Sequence, residues 1–272
     1  MSESQGEEIP SKVTSSYDTD TSLIPEPLTG AETANIVSEL YSAAGPRLGS
    51  ILVESNIVLT LAGARGQTEF FLSEPTIEDR KAIEALNDIL LRKGLKMTDY
   101  QTFVSPSNGK ETLMIDLESL RGYARVSRLT KIPGIKPFDE STGWNGLKTW
   151  IHESYESMEQ AQAQGKIPYT EEDVQHIFTG VIKGYPDIAT YDICKWSNDG
   201  RKYEIDETDI AHVSLYRGAE PNFSFLPEHA NDPSIKDTVN KWGKLLGEFY
   251  ATPWHEKIKT DPNFVAARSQ HK

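Results

Sequence analysis

A short stretch of this chain gathers polar side chains suited to holding an anion or a carbonyl group. In "DIAHVSLYR", strand alternation puts Ile210, His212, Ser214 and Tyr216 on one face and Ala211, Val213 and Leu215 on the other. Arg217 ends that strand, and His229 sits in the Pro-containing loop beyond it, next to Glu228. Irregular segments leaving a strand end are where binding residues concentrate. An imidazole can act as general base near neutral pH, and a guanidinium holds anions. Earlier in the chain the corner "GYPD" adds Tyr185 and Asp187, the latter a carboxylate able to orient a histidine. Tyr185, Asp187, His212, Arg217 and His229 are therefore the candidate ligand-binding set. The competing reading is a solvated sheet face under a surface loop.

A second cluster is basic. Arg121, Arg125, Arg128, Lys131 and Lys136 fall within sixteen residues that contain no acid, with Tyr123 interleaved. The first four are candidate contacts to an anion or a partner. Such a run suits phosphate or an acidic protein surface. It equally suits a solvated segment, or one paired with the acidic N-terminus. One short basic stretch reads base sequence poorly, so a protein partner is expected ahead of nucleic acid.

Stronger catalytic signatures are missing. His152, His176, His212, His229, His255 and His271 include no pair four apart and no HExxH, so no metal site is expected. His176 reads as a histidine at the edge of an apolar helix stripe. No G-x-S-x-G elbow occurs. "LAGARGQ" and "SNGKET" do not match a phosphate loop and read as hairpin turns. Cys194, the single cysteine, lies in an apolar helical run and reads as core. Nothing specifies a cofactor.

The elements that must position these groups follow from periodicity and punctuation. The net charge is −13, which argues against non-specific coating of nucleic acid. One cysteine allows no internal disulfide, and "MSESQGEEIP" has no signal-peptide pattern, so a cytoplasmic home and no membrane are expected. Residues 1–28 are acidic and poor in apolar side chains, as in a disordered tail. Residues 29–120 read helix, hairpin, helix, hairpin, an α+β domain with helices on one face of an antiparallel sheet. The first hairpin is placed around Gly63–Gly66, the second around Asn108-Gly109. Residues 121–147 read as a connection carrying the basic run. Residues 148–272 read as a helix-rich domain with a small β ribbon formed by "RKYEID" and "DIAHVSLYR". In it, Gly184 suits a left-handed helix end and Pro186 a new helix start, which makes "GYPD" a helix–corner–helix turn.

Two functions from different classes fit. One is a soluble interaction or regulatory protein without catalysis. The alternative is a small-molecule or phosphate-directed enzyme in which His212 or His229 is the base, Arg217 holds an anion and Asp187 orients the histidine.

Overall fold

A computed structural model of the chain describes residues 23–106, 109–203, 211–214 and 221–269. The fold is mixed α+β. It runs α1 (Gly30–Ile51), α2 (Ser55–Leu61), β1 (Gln67–Ser73), α3 (Ile77–Leu91), β2 (Leu95–Val104), β3 (Glu111–Ser119) and α4 (Leu120–Leu129). Then come α5 (Gly143–Ala163), α6 (Glu171–Ile182), α7 (Asp187–Tyr203), β4 (Ala211–Ser214), β5 (Pro221–Phe225), α8 (Pro233–Tyr250), α9 (Pro253–Ile258) and α10 (Pro262–Ser269). Three strands form an antiparallel sheet in the order β1-β3-β2, and β4 and β5 form a second antiparallel pair.

Local chemistry explains the helix starts. Thr29 caps α1 and Thr76 caps α3, each in a capping box with the acid three residues on. α1 kinks at Gly45, whose φ of 75° breaks the helix, and resumes through Pro46. On α3, Ile83, Leu86 and Leu90 are buried. Each such aliphatic side chain taken out of water contributes ~1.5–3 kcal/mol. β2 and β3 pair from Leu95↔Ser119 to Val104↔Glu111, the hairpin read from the sequence. Asn108 of its turn lies outside the described residues.

Four segments depart from the sequence reading. The first expected hairpin is a helix followed by one strand, because "SNIVLTL" forms α2 with Ile57, Val58, Leu59 and Leu61 all buried. A short, mostly apolar run does not distinguish a buried strand from a buried helix. The connection at 121–147 begins with a ten-residue helix, α4, in which Tyr123, Ala124, Arg125 and Val126 are buried. Leu120, Tyr123 and Ala124 recur at helical spacing, but the basic run and the Gly and Pro residues after it make the segment read as a connection. Arg201–Tyr203 of "RKYEID" ends α7 rather than forming a strand. Finally, Pro221–Phe225, read as irregular, is β5 and partners β4, with His212 opposite Ser224.

Two apolar clusters fill the interior. One draws on α1, α2, α3 and the three-stranded sheet, together with Phe223, Phe225, Trp242, Leu246 and Phe249. The other draws on α4, α5, α6 and Cys194 of α7. Pro25, Glu26 and Leu28 near the N-terminus are tied down as well, Pro25 and Glu26 by their carbonyls and Leu28 by its N–H, which donates to the Ala62 carbonyl at 2.8 Å. The rest of the expected tail, residues 1–22, lies outside the described residues. Among the described residues no helix is long and apolar enough to cross a membrane.

Candidate functional site: a cavity between α4, the α6–α7 corner and α8

The GYPD corner folds as its residue types dictate. The Gly184 N–H donates to the Val181 carbonyl and the Tyr185 N–H to the Gly180 carbonyl, with Gly184 at φ 73°. That double bond is a Schellman helix end, and only glycine takes the left-handed position without strain. α7 then starts at Asp187, one residue after Pro186. The loop Ala64–Gly66 is wedged against this corner, since the Gly66 N–H donates to the Ile182 carbonyl at 2.8 Å. α4 presses on the same loop from the other side. A Cβ on Gly122 would stand 1.8 Å from the Arg65 carbonyl oxygen, so only glycine permits this approach.

The packing leaves a cavity of about 510 Å³. That is within the usual range for small-molecule sites, ~300–1,000 Å³. Val126 and Leu129 of α4, Val181 of α6, and Trp242 and Leu245 of α8 supply apolar wall. Arg125, Lys131 and Lys241 bring positive charge, and Asp187, Asp232 and Asp237 bring negative charge. Arg125 is only 5% exposed, whereas Lys131, Asp237 and Lys241 are exposed and mark the solvent side. Lys241 and Asp237 pair along α8 at 2.8 Å.

Arg125 is the most committed of these charges. Its Nη1 donates to the Pro25 carbonyl at 3.1 Å and meets Glu26 Oε2 at 3.4 Å. Burial pulls its pKa down, and the charges of Glu26 and Asp237 act against that. Asp187 is held equally firmly. Its Oδ1 accepts from the Thr130 hydroxyl at 2.6 Å and its Oδ2 from the Lys131 N–H at 2.8 Å. Burial pushes its carboxyl above the ordinary value, and those hydrogen bonds offset part of the shift. Behind the wall lies Arg65, fully buried, with its guanidinium carbon 5.5 Å from the Tyr185 ring and 5.6 Å from the Trp242 ring. It clamps the two aromatic side chains that line the cavity. Its Nη1 donates to Asn56 Oδ1 at 2.5 Å, and burial lowers its pKa.

Two groups that the sequence kept separate therefore share one cavity: Tyr185 and Asp187 from the corner, Arg125 and Lys131 from the basic run. Arg128 is partly buried and donates to the Ala124 carbonyl within its own helix. Arg121 is exposed and donates to the Glu26 carbonyl at 3.1 Å. His229 is elsewhere. Its Nδ1 lies 2.8 Å from Asp192, a buried carboxylate that also accepts the Leu226 N–H at 2.9 Å. Asp192, not Asp187, orients this histidine, and neither residue of the pair lines the cavity. His212 is placed on β4 by its backbone, and Arg217 and His271 lie outside the described residues. His176 is exposed rather than at a core edge. Cys194 is buried, and burial raises its thiol to about 12. Among the described residues no group of three His, Cys, Asp or Glu side chains is placed to hold a metal ion.

Sequence reasoning missed Arg65, Asp192, Asp237, Lys241 and Trp242. Asp192 and Trp242 looked like ordinary members of helices. Arg65 carried a signal in its isolation between two glycines, in a loop rich in small residues.

Comparison with known proteins returns no matching family model, no matching curated protein and no matching solved structure.

Proposed function

We propose that this chain is a non-catalytic regulatory or interaction protein that binds a small molecule carrying one carboxylate or phosphate on an apolar body. The supporting observation is the cavity itself. A buried guanidinium, Arg125, stands in an apolar wall with Trp242 and Leu245, while exposed Lys131 and Lys241 flank the solvent side. A low-dielectric wall strengthens a charge-assisted hydrogen bond from arginine to an oxyanion. The three carboxylates restrict the ligand to a single anionic group with donors elsewhere, since a polyanion would meet repulsion. A ligand held this way changes the relation between α4, α7 and α8, which a partner protein can read. The lone, buried Cys194 suits a cytoplasmic setting.

The reading is tested by thermal shift and titration calorimetry with hexanoate and hexyl phosphate. Binding is expected to stabilise the fold, by ~2.7 kcal/mol at a hundredfold excess over Kd. Lys131→Gln/Lys241→Gln is expected to weaken binding while lowering the unprobed melting temperature only slightly, since an exposed ion pair contributes little. If neither probe shifts the melting temperature, the reading fails.

A second reading, catalysis at His229, draws on its contact with Asp192. A buried carboxylate on Nδ1 fixes the tautomer and leaves Nε2 for proton transfer. It requires that His229→Gln abolish a turnover that the cavity variants leave intact.

A further inference from the structure

Helices do not close the cavity alone. Pro27 lines it too, and with Pro25 and Glu26 it belongs to a strap that lies along α4. Both ends of the contact are defined. Arg121 holds the Glu26 carbonyl, and Arg125 holds the Pro25 carbonyl and the Glu26 carboxylate. The strap is anchored just beyond, where the Leu28 N–H meets the Ala62 carbonyl.

The Glu26–Arg125 pair is asymmetric. The arginine side chain is 6% exposed and the glutamate side chain 80%. The cation is fixed in the cavity wall, while its carboxylate can leave for water at little cost. At 3.4 Å the contact is longer than a charge-assisted hydrogen bond normally is. Carboxylate and carbonyl oxygens are also what an anionic ligand would present to the same guanidinium. The prolines on either side of Glu26 lack N–H groups and fix φ, so the strap is stiff and has few donors to leave unsatisfied when it lifts. These features describe an internal stand-in for a ligand.

We propose that Glu26 occupies the anion subsite formed by Arg125, and that a carboxylate- or phosphate-bearing ligand binds by displacing it and lifting the Pro25–Pro27 strap. This rests on the ligand-binding reading given above. The strap sets a threshold, because the apparent affinity is reduced by the fraction of molecules in which Glu26 already fills the subsite.

The test uses the full chain with a nitroxide on Leu23→Cys. Leu23 is 65% exposed, and buried Cys194 does not compete for the label. Hexanoate and hexyl phosphate are titrated into this protein with Glu26 intact and with Glu26→Ala. Saturation with a probe is expected to mobilise the label when Glu26 is present. Glu26→Ala keeps the Pro25 and Glu26 carbonyl contacts, so it is expected to leave the label immobile without probe and to tighten probe binding about two- to fivefold, the range of an exposed ion pair. The tighter-binding probe identifies the oxyanion. Probe binding that leaves the label immobile, or equal affinity with Glu26→Ala, overturns the strap while the binding reading stands. Failure of both probes to bind either protein overturns both.

Discussion

Replacing Asp187 by alanine removes a carboxylate that ties the start of α7 to the segment after α4, across one side of the cavity. The Thr130 hydroxyl at 2.6 Å and the Lys131 N–H at 2.8 Å both lose their acceptor. A donor left unsatisfied costs ~1–3 kcal/mol when buried and less where water reaches it, and loss of an acid from a helix N-terminus adds ~0.3–1 kcal/mol. Removing a partly buried charge returns some of this, since burial already disfavours the ionised form. The net expectation is a destabilisation of ~2–3 kcal/mol, seen as a lower urea midpoint. Asp187→Asn keeps one acceptor for the Lys131 N–H and should recover about half of that loss. The pH dependence has a definite sign. The folded-state carboxyl lies above its ordinary value of 3.8, so the folded protein binds more protons than the unfolded chain between 3.8 and that raised value. Stability contributed by Asp187 is therefore present at low pH and diminishes as pH rises through this window. The wild-type advantage over Asp187→Asn shrinks in the same direction. An Asp187→Ala midpoint within ~0.5 kcal/mol of wild type would refute the hydrogen-bond account, because that is the scale of neutral surface changes. So would a wild-type advantage that grows with pH across the window.

Gly122→Ala is expected to be severe, above ~3 kcal/mol in chemical denaturation, because the new Cβ would overlap backbone rather than a movable side chain; a near-neutral result contradicts the close approach of α4 to Arg65. His255 is buried beside Tyr250, with ring centroids 4.8 Å apart, and burial lowers its pKa below 6.5. As pH falls through 6.5 the unfolded chain takes up the proton first, so the stability of wild type relative to His255→Phe must fall; a flat difference contradicts it. Asp192→Asn is expected to cost ~1–3 kcal/mol, since it disturbs both the Leu226 N–H and His229, and urea denaturation should show it; an unchanged midpoint would mean that the pair is not structural.

Much of the fold was legible where a few adjacent residues decide the conformation. The Gly184 helix end and the β2–β3 hairpin both depend on local chemistry. "SNIVLTL" was not legible, because its side chains are buried all round and carry no period. α4 was missed for a different reason: Leu120, Tyr123 and Ala124 do recur at helical spacing, but the interleaved arginines and the Gly and Pro residues that follow made the segment read as a connection. The site was half legible. Tyr185, Asp187, Arg125 and Lys131 were singled out by type, but their meeting depends on α8, which supplies Asp237, Lys241 and Trp242 from far along the chain. Residue spacing carries no record of such a long-range contact. Asp192 as the partner of His229 was hidden for the same reason, since it is set by how α7 lies against β5.

The central claim, that this cavity holds an anion-bearing small molecule, is tested most directly at Trp242. The chain has five tryptophans, and Trp242 lines the cavity. Fluorine NMR of protein carrying 5-fluorotryptophan, with Trp242→Phe assigning the resonance, reports on its surroundings during titration with hexanoate or hexyl phosphate. The account predicts that the Trp242 resonance shifts and saturates while those of Trp144 and Trp254 stay in place. A Trp242 resonance that does not move at any probe concentration, or one that moves no more than the others, contradicts it.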